Sequence, residues 1–416
     1  MKLAFVVQRY GADIAGGSEA HCRQLATRLA PHHDITVLTT CARDYVTWEN
    51  ASPAGARDED GVHVIRFPVE RPRRRAAFAE LTDEVIDGAT PERETAWFHE
   101  NGPIVPALLD HLRQHGASYE LVLFWTFRYY PSFFGLPLVA DRAILVPTAE
   151  EDPMVALSVL RTFFRRPAGY LFMTPEEEAL VSAQAGAPLP ASAIVGIGLE
   201  PVVIARTGAG GRAVSSRARA LLDAHDVPSE FLLYLGRVDR NKGCETLLGY
   251  FQEYAAQTPE VSLVLAGPAK MQVLRHPRVV SLGYVSDELR EALLAEALAL
   301  VVPSPYESLS IVLLEAWNRG VPAVVNSFCK VLRGQVRRAN GGLHYQSSRE
   351  FGEAVRYLRS HPEDRERLGQ SGLAFVEREY RWETVIGKVE ALLAEVRAQR
   401  GMSPAAVAPS VAPRVY

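Results

Sequence analysis

Lysine and cysteine are both scarce in this chain. Five lysines stand against forty arginines, so each lysine marks a place where the guanidinium preferred elsewhere has been passed over. The four cysteines, Cys22, Cys41, Cys244 and Cys329, lie far apart and lack the paired spacing that holds zinc, a redox disulfide or an iron–sulfur cluster. They are expected to be buried, reduced thiols. No apolar stretch is long enough to span a bilayer, and no basic leader precedes the apolar run at Leu3, so the expected compartment is the cytoplasm. A large excess of one charge is missing too. A net charge of -4 provides no field to gather a polyanion, and nucleic acid is not an expected partner.

What the chain does have is apolar residues (48%) in a length of 416, more than one ordinary core accommodates and suited to two domains. Short apolar runs alternate with stretches of helical periodicity. Leu3 to Val7, Ile35 to Leu38, Val62 to Phe67, Leu121 to Trp125, Ala143 to Val146, Tyr170 to Met173 and Ile194 to Ile197 are the expected strands of the first half. Phe231 to Leu235, Ser262 to Ala266, Val279 to Leu282, Ala299 to Val302 and Ala323 to Val325 are those of the second. The alternation predicts parallel sheets with helices on both faces. The pattern loosens between Pro201 and Pro228, giving domains at 1–200 and 230–379 with an interdomain segment at 201–229. An amphipathic helix at 380–398 is expected to cross back to the first domain, and 402–416 to be a disordered tail. Ligands of parallel sheets bind beyond the carboxyl ends of the strands, so chemistry is expected on loops facing a cleft between the domains.

Three loops carry candidate residues. Gly16-Gly17-Ser18-Glu19 joins the first strand to its helix, where small residues let backbone N–H groups approach an anion; a tight turn with Ser18 as helix cap explains the same residues without a ligand. Gly236-Arg237-Val238-Asp239-Arg240-Asn241-Lys242-Gly243 follows the first strand of the second half. It places a planar guanidinium, Arg237, and a compact ammonium, Lys242, where a departing diphosphate develops charge. Pro303 to Ile311 holds Glu307, and Glu315 follows on the next helix; carboxylates there accept hydrogen bonds from sugar and ribose hydroxyls, or serve only as caps and dipole partners.

In order, these segments resemble glycosyltransferase family 4 of the GT-B fold, retaining nucleotide-sugar glycosyltransferases built from two Rossmann-like domains. The Gly283-Tyr284-Val285 turn and the Tyr380-Arg381-Trp382 segment complete the resemblance, which covers nearly the whole chain. It implies that Arg237 and Lys242 hold the diphosphate and Glu307 the donor sugar, as the catalytic set. Glu315 would hold the ribose, the backbone at Val285 the base, the amides at Ser310 and Ile311 the terminal phosphate, and the Gly16-Gly17 loop the phosphates and sugar from across the cleft. The implied reaction moves a hexose from a UDP or GDP donor to a glycan, lipid-linked or natural-product acceptor, with no metal and no other cofactor.

Two segments depart from that pattern. Relatives often carry a histidine in a Thr-x-His arrangement after the strand at Ala143, whereas this chain reads Pro147-Thr148-Ala149-Glu150-Glu151-Asp152, with Glu150 in the histidine's place. Ser327-Phe328-Cys329-Lys330 replaces a glycine-rich loop, and Lys330 adds a cation for phosphate there, as Glu150 adds an acceptor for sugar hydroxyls. These departures leave open a nucleotide-sugar-binding or scaffold protein that has lost turnover. The acidic trio at 150–152 is a poor metal site because adjacent acids point in different directions. Arg71, Arg73, Arg74 and Arg75, with Phe163-Phe164-Arg165-Arg166, fit either solvated loops or a peripheral contact with the anionic inner membrane surface. Trp125 to Tyr130 fits either core or a stacking platform for an acceptor sugar.

Overall fold

The computed structural model describes residues 1–14, 16–202, 216–258, 260–273 and 275–402. Most of the expected tail, and residues 203–215 of the expected interdomain segment, lie outside them. The first half folds into an eight-stranded sheet. Its strands are β1 (Lys2–Val6), β2 (Asp34–Thr40), β3 (Gly55–Glu59), β4 (Val62–Phe67), β5 (Leu121–Trp125), β6 (Ala143–Val146), β7 (Gly169–Phe172) and β8 (Ala191–Ile194). They lie in the order β3-β4-β2-β1-β5-β6-β7-β8, parallel except for the antiparallel β3–β4 pair. The second half forms a six-stranded parallel sheet from β9 (Phe231–Leu235), β10 (Ser262–Ala266), β11 (Val279–Gly283), β12 (Ala299–Val302), β13 (Ala323–Asn326) and β14 (Gly342–Tyr345), ordered β11-β10-β9-β12-β13-β14.

The central strands are apolar throughout because both faces of each sheet are covered. Alternate residues of β1 go to different cores: Leu3 and Phe5 to one, Ala4 and Val6 to the other. Strand β9 divides likewise, Leu233 and Leu235 against Leu232 and Tyr234. The first of these cores is shared by both halves, because Trp382, Val385, Val389 and Leu393 of the last helix join it.

That helix, Trp382–Met402, leaves the second domain and packs on β7, β8 and the helix Gly17–Leu29. Glu390 meets His33 at 2.7 Å, and the Arg28 guanidinium sits 3.8 Å above the Trp382 ring. The chain crosses between the halves beside it, where Leu199 N–H donates to the Tyr380 carbonyl at 2.7 Å.

Two strands escape the reading by apolar runs. Strand β3 is Gly-Ala-Arg-Asp-Glu, an exposed edge with no apolar face to announce it, and β14 is short with a half-exposed middle. The run expected at Ile194 to Ile197 is shifted. The edge strand β8 is the half-exposed Ala191–Ile194, and the buried Val195 and Ile197 belong to the crossing segment.

The crossing helix is anchored through one nearly buried ring, so Trp382→Ala should cost about 3–5 kcal/mol and lower the thermal midpoint by several degrees. An unchanged midpoint in differential scanning calorimetry would show that Trp382 does not tie the halves together.

Candidate active site

In open parallel sheets the crevice forms where strand order reverses. In the first sheet β1 pairs with β2 on one side and β5 on the other; in the second β9 lies between β10 and β12. The loops leaving β1, β5, β9 and β12 are therefore the natural ligand-facing ones. All four line a single cavity of about 550 Å³ between the domains. Gly17, Ser18 and His21 come from beyond β1, Thr126, Arg128 and Tyr129 from beyond β5, and Thr148 and Glu150 from beyond β6. Gly236, Arg237 and Lys242 face them, with Ser304, Glu307, Ser308, Ser310 and Ile311 alongside.

Local geometry explains how Lys242 reaches the cavity. The Asp239 carboxylate accepts from the Lys242 backbone N–H at 2.9 Å and caps the turn Arg240–Lys242. Gly243 follows with φ +74, and a Cβ there would lie 2.3 Å from the Pro303 carbonyl oxygen. Only glycine lets the lysine loop lie against the Pro303–Glu307 loop. Lys242 Nζ then meets Glu307 Oε1 at 2.9 Å, a contact between residues 65 positions apart. Burial works against the Lys242 charge, but Glu307 and Glu150 outweigh it and raise its pKa. Arg237 is held by the Asp239 carboxylate and reaches across the cleft to the Tyr45 hydroxyl at 3.1 Å.

Of the residues singled out in the sequence, the structure brings Gly17, Glu150, Arg237, Lys242, Glu307, Ser310 and Ile311 to the cavity lining. Gly16 adjoins it at the N-cap of the helix Gly17–Leu29. The Ser310 amide is already engaged by Gln335 Oε1 at 3.3 Å. Val285, Glu315 and Lys330 are not in this lining. Glu315 is paired with Arg290, Val285 packs against the shared core, and Lys330 meets Glu151 at 2.5 Å. That pair borders a second cavity of about 560 Å³ lined also by Tyr306, Phe328 and Glu307.

The structure places several other segments singled out in the sequence. Ser18 is not the helix cap: its hydroxyl donates to Glu19 and accepts from Gln8. A Cβ on Gly16 would lie 2.2 Å from Glu19 Oε2, so this glycine makes room for Glu19, which pairs with Arg9 at 2.6 Å. Trp125 and Phe127 are fully buried core, not a stacking platform. Arg71 and Arg74 are bound by Glu100 and Arg73 by Asn101, while Phe163 and Phe164 are core. The acidic trio diverges, Glu150 into the cavity, Glu151 to Lys330 and Asp152 to Arg128 at 2.5 Å. No three His, Cys, Asp or Glu side chains among the described residues gather as a metal site. The four cysteines are buried and unpaired with one another, and no described helix is long and apolar enough to cross a membrane.

Residues 223–374 match the model of the family Glycosyl transferases group 1. They are a glycosyltransferase domain. The chain, a glycosyltransferase by that domain, is 24% identical over 433 residues to a glycogen synthase of Mycobacterium tuberculosis, 97% of each chain being covered. It is 28% identical over 151 residues to the alpha-D-kanosaminyltransferase of Streptomyces kanamyceticus, 34% of this chain and 39% of that one. Among solved structures it resembles the sucrose-phosphate synthase of Thermosynechococcus elongatus, with a TM-score of 0.70 at 18% identity over 96% and 99% of the two chains. It also resembles HepE of Anabaena in complex with UDP-glucose, with a TM-score of 0.65 at 15% identity over 95% and 100%. These two share the GT-B fold of paired Rossmann-like domains seen here.

Sequence reasoning missed His21, Thr148 and Glu177. Glu177 does not line the cleft but holds the loop that does. Its carboxylate accepts from the Ala149 N–H at 2.7 Å and the Met173 N–H at 2.6 Å, fixing the segment that carries Thr148 and Glu150. Burial pushes its pKa up from 4.5 to about 8, against the backbone bonds that lower it. Between those values the native state keeps a proton that the unfolded chain releases, so this group makes stability fall as pH rises from about 4.5 to 8 and adds no further slope above. Urea unfolding at pH 5.5 and pH 8 should show a smaller loss of midpoint in Glu177→Gln than in the wild type; equal losses would contradict the assignment.

Proposed function

We propose that the protein transfers a hexose from a nucleoside diphosphate sugar, UDP or GDP, to a glycan, lipid-linked or natural-product hydroxyl, with retention at the anomeric carbon and without a metal. The observation that carries this reading is the convergence of Arg237, Lys242 and Glu307 on one interdomain cavity. Arg237 and Lys242 supply two cations to a diphosphate, and Glu307 supplies an acceptor for donor-sugar hydroxyls. Relatives named for glycogen synthesis and kanosaminyl transfer, and a neighbour solved with UDP-glucose, support the same class of donor.

In the structure Lys242 is paired with Glu307. A diphosphate brings more negative charge than one carboxylate, and its arrival releases Glu307 toward the sugar as Lys242 turns to the phosphate. The reaction then breaks the bond between the anomeric carbon and the phosphate oxygen. The acceptor oxygen bonds to that carbon from the same face, and its proton passes to the departing phosphate. The two cations stabilise the charge that develops, and the protein needs no nucleophile of its own. The remaining donor assignments, Glu315 to ribose, Val285 to base and Ser310 with Ile311 to the terminal phosphate, belong to this proposal. Glu315 takes up its role by exchanging Arg290 for the ribose.

Arg237→Ala and Lys242→Ala should each lower UDP- or GDP-sugar turnover roughly 100- to 1,000-fold while the protein stays folded by circular dichroism. Undiminished turnover in both variants would refute the assigned roles.

A further inference from the structure

The charged side chains that line the interdomain cavity are the cations Arg128, Arg237 and Lys242 and the carboxylates Glu150 and Glu307. Each cation is already matched: Arg128 to Asp152 at 2.5 Å, Arg237 to Asp239, and Lys242 to Glu307 at 2.9 Å. Glu150 is left over. Its half-buried side chain makes no hydrogen bond or ion pair among the described residues. Three cations (Arg128, Arg237, Lys242) thus face four carboxylates (Asp152, Asp239, Glu307, Glu150), an excess of one negative charge. The other titratable groups of the lining do not offset it. Burial holds His21, Tyr129 and Tyr234 neutral, the His21 pKa being lowered to about 4.

The segment that carries Glu150 is anchored. Glu177 accepts from the N–H of the preceding Ala149 at 2.7 Å, and the Asp152 N–H donates to the Glu150 carbonyl at 2.8 Å. The loops bearing Arg128 and Glu150 leave their strands through Thr126 and Thr148, which have left-handed backbones with φ of 53 and 48. Glu177 itself, with its pKa pushed up by burial to about 8, is already the neutral acid at pH 7. The unmatched charge of Glu150 is therefore met where it stands, inside the cavity.

Burial, Glu307 and Asp152 push the Glu150 pKa up, and only Arg128 and Lys242 hold it down. A nucleoside diphosphate sugar adds phosphate charge to the lining and draws Lys242 away to the phosphates. Both changes favour the uncharged acid. Glu307, released at the same moment, accepts from sugar hydroxyls, which stabilise it as a carboxylate. Glu150 has no such compensation.

We propose that Glu150 takes up a proton from solvent as the donor binds, and stands in the occupied site as a carboxylic acid whose O–H donates to an oxygen of the transferred sugar. The role rests on the transferase reading; the coupling of Glu150 to Lys242 does not. With a higher pKa in the bound state than in the free one, donor affinity is greatest below the free-state midpoint. It falls by up to about tenfold per pH unit between the two midpoints and levels off above the second.

Two measurements on the full chain test this. Calorimetric titration with UDP-glucose and with GDP-mannose, from pH 5.5 to pH 8.5 in buffers of different ionisation enthalpy, counts the protons exchanged. Net uptake reaching about half a proton or more per donor is expected, and it should disappear in Glu150→Gln. No uptake at any pH, release, or the same uptake in Glu150→Gln would overturn the proposal. The second is carbon-13 NMR of the glutamate carboxyls without donor, the Glu150 signal being identified by its loss in Glu150→Gln. Lys242→Met, its fold checked by circular dichroism, should raise the Glu150 midpoint by about one pH unit; an unmoved or lowered midpoint also overturns it. Absence of binding by either donor would instead count against the transferase reading, with the carboxyl titration still deciding whether the lysine governs Glu150.

Discussion

The pairing of Lys242 with Glu307 is the contact on which the cleft depends. It joins the loop after β9 to the loop after β12, the two that flank the strand-order reversal of the second sheet. Each group would be costly to leave alone in a partly dry crevice, since removing one partner strands the other's charge. Together they keep the lysine charged and in place. The same pairing makes the site responsive, because an incoming polyanion competes for the lysine and frees the carboxylate for hydroxyl groups.

The fold puts this pair where it can act. Each sheet reverses its strand order at a central strand, and the crossing helix holds the two reversals face to face by joining the core of one half to that of the other. Smaller contacts then tie loop to loop across the gap. Thr174 Oγ1 donates to the Ser308 carbonyl at 3.1 Å, Arg338 pairs with Glu176 at 2.5 Å, and Arg237 reaches Tyr45. The Arg338–Glu176 contact is an exposed ion pair worth little by itself. The result is a crevice that both domains line with charged groups, Arg128 and Glu150 from the first and Arg237, Lys242 and Glu307 from the second.

Much of this was legible in the sequence, and the boundary of legibility has physical causes. Apolar runs found the interior strands because burial on both faces leaves no polar residues in them; they failed at β3, where an exposed edge needs no apolar face. Arg237, Lys242 and Glu307 stood out because their loops follow strand ends. Their mutual distance did not, since a contact spanning 65 positions has no local signature. Gly16 was read as freedom for a ligand to approach or as part of a tight turn, and it proves to make room for the protein's own Glu19, as Gly243 does for the Pro303 carbonyl. His21 looked like any residue on a helix, and only the fold brings it to the cavity lining. The left-handed backbones of Thr126 and Thr148 run against the preference of threonine, so no sequence rule points to them. Glu150, read as an acceptor for sugar hydroxyls in a histidine's place, lies in the cavity with its pKa raised by burial, while the Arg128 and Lys242 charges oppose the rise.

The account stands or falls on where a diphosphate goes, and a crystal structure with UDP bound addresses that most directly. It should show the phosphate oxygens within about 3 Å of both Arg237 and Lys242, with Lys242 drawn away from Glu307. A diphosphate seated elsewhere, with the Lys242–Glu307 pair intact, would contradict it.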